Sequence, residues 1–309
     1  MSWVCPMCST SNEDGWSNCM VCDAPKPDKP EEDSLLSGLA TDEELKNINA
    51  KLLYEAAMEA YDRNPAVAAS NLKRSAEDGY ALAQNVLGRM YYIGKGVEQS
   101  YTEAFRWFGK AAAQGLDAGQ YNLGCCYYYG KGVEQNYNLA HSWLSRAAWK
   151  SHPGAMLELG NCYFYGRGVT KNPDEAFDWF CRAAKKGNAA AEYNVGYCYE
   201  NGTGTVVDKE SAFLYYQRAA EKGYRPAINA LGSCYYYGSG VSKNLSKAAD
   251  YYRQAANKGF PAGMYNYGFC LEKGAGVIAN RMTALEWYRR AAAAGNENAR
   301  KALARLSGK

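Results

Sequence analysis

Small, apolar and aromatic residues return every 36 positions along most of this chain, without an insertion between residues 80 and 295. The clearest marker is Leu-Gly or a near relative, at Leu87-Gly88, Leu123-Gly124, Leu159-Gly160, Val195-Gly196, Leu231-Gly232 and Tyr267-Gly268. Around each Leu position, taken as zero, a small residue stands at −4 (Ala83, Gly119, Ala155, Ala191, Ala227, Gly263). At 100° per residue, positions −4, 0, +3 and +4 fall on one side of a helix, so each unit predicts an amphipathic first helix. Tyr91, Tyr127, Tyr163, Tyr199 and Tyr235, at +4, belong to that core stripe. The glycine after the Leu position predicts close approach of a partner helix, since glycine inside a helix otherwise costs about 1 kcal/mol.

A Gly-x-Gly then ends the first helix through left-handed backbone, from Gly94/Gly96 to Gly274/Gly276. Ser100, Asn136, Asn172, Asp208, Asn244 and Asn280 are N-cap types and open a second helix. Its buried side carries residues such as Ala140, Trp143, Leu144, Ala147 and Ala148. Lone glycines close the units, with Ser151 in place of one. A helix pair of this size cannot bury its apolar face alone, so the units must stack. The expected fold is all-α, an α-solenoid of helix-pair repeats whose long inner surface is suited to holding other molecules.

The remaining segments divide the chain. Residues 1–25 carry a cysteine cluster, and 26–40, with Pro27, Pro30 and an acidic run, reads as a flexible linker. Residues 41–79 form a degenerate capping repeat, opened by the capping box of Thr41 and Glu44 and continued from Asn64-Pro65. Six full units occupy 80–295. The stretch 296–309 supplies a capping helix with polar Arg300, Lys301 and Arg305.

Bulk properties narrow the function. Lys+Arg number 35 against 32 Asp+Glu, a net charge of +3, which argues against a nucleic-acid field over the whole protein. No run of eighteen apolar residues predicts a membrane span, and the first residues lack an apolar secretion core. Among eleven cysteines, Cys126, Cys162, Cys198, Cys234 and Cys270 share one position per unit. On helix spacings of ~8–10 Å, such images stand roughly 10 Å apart, beyond disulfide reach. They read as small buried hydrophobes in a reducing compartment, the cytoplasm or else the nucleus.

Cys5-x2-Cys8 and Cys19-x2-Cys22, ten residues apart, have the spacing of a four-thiolate structural Zn²⁺ site. A segment so short needs the metal to fold. The alternative, a reactive or disulfide-forming cluster, lacks a secretion signal to accompany it.

Two families are recognisable. The string NLGCCYYYGKGVEQNYNLAHSWLSRAAWKS (residues 122–151) and its five companions resemble Sel-one-like repeats, relatives of the tetratricopeptide repeat. The resemblance covers roughly 44–309 and implies a right-handed α-solenoid acting as a non-catalytic adaptor. Some secreted members staple each unit through paired cysteines; here Ala147, Ala219 and Ala255 stand at the partner position, which disfavours that subtype. The N-terminal pattern Trp3-x-Cys5-x2-Cys8-x3-Asn12-x6-Cys19-x2-Cys22 resembles the zinc finger named after Ran-binding protein two, whose members bind ubiquitin or single-stranded RNA. Ser9-Thr10 departs from the Thr-Phe of ubiquitin binders, although Val21 keeps their apolar position. Glu13-Asp14-Gly15-Trp16 replaces the arginines of RNA binders with acid that repels phosphate, while Trp16 can still stack. Ubiquitin is favoured over RNA, and the gap also fits a short zinc ribbon serving as a docking knob.

Other chemistries are weakly signalled. Gly-Lys-Gly-Val lacks the Ser/Thr and the preceding strand of a P-loop. His141 and His152, the two histidines, fall in no catalytic spacing, and no carboxylates are paired for acid–base work. An enzyme is not expected.

The tyrosines, 27 in all, leave a surplus after the core is assigned. Positions −2, +2 and +5 point away from the core stripe. They hold Tyr92, Tyr121, Tyr128, Phe164, Tyr193, Tyr197, Tyr236, Tyr265 and Phe269, interrupted by Asn85, Arg89, Asn161 and Asn229. An exposed stripe of this composition on a concave face predicts a groove for protein or peptide partners. The competing expectation is that packing between units covers most of the rings.

Overall fold

The computed structural model describes residues 41–306 together with the short strands at 2–4 and 11–13. Those strands, β1 (Ser2–Val4) and β2 (Ser11–Glu13), pair antiparallel with Trp3 opposite Asn12. The expected zinc ligands Cys5, Cys8, Cys19 and Cys22 and the 26–40 linker lie outside the described residues.

From residue 41 onward the described chain is helical, in antiparallel pairs. The first pair is α1 (Asp42–Ala60) and α2 (Pro65–Glu77). The six units follow as α3 (Ala81–Ile93) with α4 (Tyr101–Ala113), α5 (Asp117–Tyr129) with α6 (Tyr137–Trp149), and α7 (Pro153–Tyr165) with α8 (Pro173–Lys185). Then come α9 (Ala189–Asn201) with α10 (Lys209–Glu221), α11 (Arg225–Tyr237) with α12 (Leu245–Asn257), and α13 (Pro261–Lys273) with α14 (Arg281–Ala293). A final helix, α15 (Glu297–Leu306), packs on α14. Each helix packs on its predecessor and its successor, which makes a solenoid.

The caps form as the residue types require. The side chains of Ser100, Asn136, Asn172, Asp208, Asn244 and Asn280 each accept a backbone N–H two or three residues ahead. Thr41 and Glu44 close a reciprocal capping box. The first glycine of every Gly-x-Gly is left-handed, as at Gly130 with φ +65°. Ser151 adopts the left-handed conformation of the glycine it replaces, with φ +68°.

Glycines also set the two packing distances of the stack. Within a unit, a Cβ on Gly88, Gly160 or Gly232 would stand 2.6–2.7 Å from the ring of Phe108, Phe180 or Tyr252 on the second helix. The expected close approach is therefore real. Between units, the second glycine of each Gly-x-Gly lies against the carbonyl of the first residue of the preceding unit's second helix. Gly132 meets Tyr101 in this way, and Gly168 meets Tyr137. These glycines are the joints at which one unit rests on the last.

Leu87, Leu123, Leu159, Val195 and Leu231 are buried with the alanines of both helices. The five cysteines of the ladder are buried and free, and desolvation pushes the thiols of Cys126, Cys162, Cys198 and Cys234 up to about 12. The +4 tyrosines are half-buried and pack against the core from its edge. At the end of the array Glu272, on α13, accepts two hydrogen bonds from Arg305 (2.9 and 2.7 Å) and one from Tyr288 (2.9 Å), clasping the last helix to the stack. No helix among the described residues is long and apolar enough to cross a membrane.

Candidate functional site: the face of the first helices

Along one face, the first helices of successive units stand side by side with the residues at −2, +2 and +5 between them, and Asn85 among these is buried. The nine rings expected there are not equally open. Tyr197 is 40 % exposed, while Tyr92, Tyr121, Phe164, Tyr193, Tyr236, Tyr265 and Phe269 are half-buried.

Tyr128 corrects the sequence reading, because it is buried at 4 % exposure. Its ring packs edge-on against Tyr129 and Tyr137, and its hydroxyl accepts a hydrogen bond from Arg167 Nη1 at 2.6 Å. Arg167 occupies the Gly-x-Gly of the next unit, and its guanidinium also lies over Tyr137 and Tyr165. A residue one unit away therefore pulls Tyr128 off the surface and into the joint. The half-burial of other rings has similar local causes. Tyr121 stacks on His152 at 4.5 Å, Tyr92 meets Tyr101 edge-on, and Tyr193 lies against Tyr216 and Tyr224. His152 is an N-cap whose Nδ1 accepts from the Ala155 amide, so it keeps the structural role expected of it.

What remains open is a row of concavities. A cavity of about 320 Å³ between α7 and α9 is lined by Asn161, Phe164, Tyr165, Phe180, Tyr193, Asn194 and Tyr197. Another, of about 310 Å³, lies between α3 and α5 and is lined by Arg89, Tyr92, Ile93, Phe108, Tyr121, Asn122, Cys125, Tyr129 and Glu158. A shallower one of about 80 Å³, between α11 and α13, is formed by Tyr236, Tyr237, Tyr252, Asn266 and Phe269. Seven of the nine expected groove residues line these three hollows; Tyr128 and Tyr265 do not.

The electrostatics are quiet. The cavity between α7 and α9 and that between α11 and α13 have no charged lining residue. In the cavity between α3 and α5, Glu158 accepts from Asn161 Nδ2 at 3.1 Å and from the Tyr129 hydroxyl at 3.5 Å, and burial raises its carboxyl above the usual range. Cys125, beside it, is pushed far upward by desolvation and then by Glu158, so it is a thiol and not a nucleophile. Such a surface can take up apolar side chains and hydrogen-bond amides.

A family model described as Sel1 repeat matches residues 81–116, 117–150, 153–188, 189–224, 225–260 and 261–296, most of the chain. The chain belongs to the Sel1 repeat family. Of the six Sel1 matches, the second stops one residue short of Ser151, where the closing glycine is missing. Among solved structures, a Sel1 repeat protein from Oxalobacter formigenes is similar at 31 % identity and TM-score 0.72, covering 77 % of this chain and 96 % of that one. A protective antigen present in uropathogenic Escherichia coli strains, described as displaying an SLR fold, has 31 % identity and TM-score 0.70 over 87 % of this chain. The match spans 60 % of the length of that antigen. A comparison with curated proteins returned no match. Sel1 solenoids are commonly scaffolds for protein interaction.

Sequence reasoning missed part of the Sel1 surface. Ile93, Tyr165 and Tyr237, at +6, and Asn122, Asn194 and Asn266, at −1, were not among the groove candidates, yet all six line the hollows. Positions −1 and +6 fall together on one side of the stripe on a helical wheel, and the hollows extend past the stripe on that side. The repetition of asparagine at −1 in alternate units was the readable signal.

Proposed function

We propose that this protein is a non-enzymatic adaptor that holds a protein or peptide partner along the face of its first helices. The supporting observation is the uncharged aromatic cavity between α7 and α9, where Tyr197 and Tyr165 remain 40 % and 59 % exposed although the core does not need them. Rings left open beside amides are typical of residues that dominate protein interfaces. The test is capture of the partner by wild type and by Tyr165→Ser/Tyr197→Ser, with Trp149→Ala (72 % exposed, on α6) as the control. Loss in the double variant at unchanged melting temperature supports the reading. Loss only in the control overturns it.

The N-terminal segment supplies a second docking module in this reading. Cys5, Cys8, Cys19 and Cys22 are the soft donors that Zn²⁺ prefers, in two Cys-x2-Cys pairs. Bound zinc would supply folding energy, not chemistry. Purified protein should retain one zinc per chain by elemental analysis and lose it in Cys5→Ser/Cys8→Ser; retention in that variant would exclude the site. Ubiquitin is the favoured ligand of the finger and single-stranded RNA the alternative. Titration of each into full-length protein and a Trp16→Ala variant separates them. Two modules on one chain raise the effective concentration of one partner near another. Buried unpaired thiols suit residence in the reducing cytoplasm or nucleus.

A further inference from the structure

The stack repeats every 36 residues, while three hollows on the face of the first helices stand 72 residues apart. Hollows occur between units one and two, three and four, and five and six. The residue at +5 differs between the units that open these hollows and the units between them. In the odd units it is Tyr92, Phe164 or Tyr236, none with a side-chain hydrogen bond to a described residue, and each lines a hollow. In the even units it is tied down. Tyr128 is held by Arg167, Glu200 accepts from the Tyr216 hydroxyl at 2.7 Å, and Glu272 accepts from the Tyr288 hydroxyl at 2.9 Å.

The three hollows share one plan. Each has an aromatic at +5, a large apolar or aromatic residue at +6 (Ile93, Tyr165, Tyr237), and a ring from the second helix (Phe108, Phe180, Tyr252). Facing these, from the following unit, is an asparagine at −1. Asn122 donates to Asn85 Oδ1 at 2.8 Å and Asn266 to Asn229 Oδ1 at 2.9 Å, and neither donor's own amide oxygen has a hydrogen-bond partner among the described residues. Asn194 differs again: its side chain makes no hydrogen bond with any described residue. A half-buried carboxamide with two donors and an acceptor unused matches the paired C=O and N–H of an extended peptide backbone.

Resting on the groove reading above, we propose that the partner is an extended, uncharged peptide segment carrying bulky apolar anchors two units apart, its backbone held by Asn194. Charge supports this occupant: the two hollows nearest the C-terminus contain no ionic side chain to receive a basic, acidic or phosphorylated ligand. Two units at ~10 Å per unit are about 20 Å, which at ~3.3 Å per residue is about six residues of extended chain.

Synthetic 20-residue Ser/Thr peptides carrying one Phe, two Phe six residues apart, or two Phe three residues apart test the register by fluorescence anisotropy. The six-residue pair should bind at least tenfold more tightly than the single anchor, while the three-residue pair shows no such gain. Asn194→Ala should weaken the six-residue pair about tenfold at unchanged melting temperature, and Asn138→Ala, exposed on α6 and outside the hollows, should not. Equal affinity for both spacings, indifference to Asn194→Ala, or no binding of any peptide overturns the proposal. If capture of a protein partner is still lost in Tyr165→Ser/Tyr197→Ser, the groove reading survives that failure.

Discussion

The joints between units make a sharp forecast, because one chemical change, glycine to alanine, has three different environments in units one and two. At Gly132 the backbone has φ +74°, and an added Cβ would lie 2.8 Å from the Thr102 amide nitrogen and closer still to the Tyr101 carbonyl. Ordinary contact begins near 3.4 Å, so backbone on one side or the other must retreat. The left-handed conformation costs alanine about 1–2 kcal/mol, and overpacking adds about 1–3 kcal/mol. Gly132→Ala should therefore destabilise by about 2–5 kcal/mol. Gly130, with φ +65°, has only ordinary contacts with Gln135, so alanine there should cost about 1–2 kcal/mol from conformation alone. Gly109, inside α4, would meet nothing within 4 Å, and alanine there should stabilise by about 1 kcal/mol. Urea denaturation followed by circular dichroism and by tryptophan fluorescence measures all three, and two probes are needed because repeat arrays lose cooperativity. Gly132→Ala should also separate the two transitions, since it damages an interface between units. Equal costs at Gly130 and Gly132 would refute the assignment of the second glycine to inter-unit contact.

Other features give shorter forecasts. The hydrogen bonds from Arg305, followed by those from Lys273 and Tyr288, hold the Glu272 carboxyl down at about 2. A depressed carboxylate stabilises above its unfolded pKa of about 4.3, and that stability is lost as pH falls through the folded value. Wild type should thus lose the contribution of the C-terminal clasp between about pH 4.5 and 2. Glu272→Gln should be about 1–3 kcal/mol less stable at pH 7 and flatter over that window in denaturant titrations; parallel profiles would contradict the clasp. Cys126, Cys162, Cys198, Cys234 and Cys270 should escape iodoacetamide at pH 8 until the protein unfolds, as peptide mapping would show. Labelling of Cys162 in native protein would count against its burial. Ser151→Gly should raise stability by about 0.5–1 kcal/mol, because exposed Ser151 holds φ +68°; a loss in thermal melts would point to an unrecognised role for the hydroxyl.

The helix pairs were legible because everything that makes them is local. Asn136 caps the following helix by accepting the amide three residues ahead, Gly130 ends the helix behind it, and Leu123 with Cys126 marks the buried side. Each of these acts within one turn, so the sequence period reports it directly. Stacking was legible for the same reason, since every unit must present the same small residues to its neighbours. Tyr128 was not legible. Position +5 on a helical wheel says that it faces outward, and nothing within its own helix contradicts that. Its burial depends on Arg167, 39 positions later, whose three-ring environment exists only after two units have stacked. Asn194 was hidden differently. It sits beside the core stripe, and its significance lies in the hydrogen bonds it lacks, which no residue pattern displays.

This contrast explains why two periods coexist in one chain. A joint such as Gly132 against Tyr101 has no room for a Cβ, and a glycine meets the preceding unit in this way in all six units, so the joints keep the 36-residue period. The outward residue at +5 has no such constraint, because the junction can be finished with Tyr128 and Arg167, with Glu200 and Tyr216, or left as an open hollow beside Phe164. The closed solutions stabilise through hydrogen bonds that remain when no partner is present. The open ones leave rings in water, a cost of the order of 25 cal/mol for each Å² of apolar surface left uncovered. A surface that alternates the two keeps half of its junctions rigid while retaining apolar area whose burial can drive association.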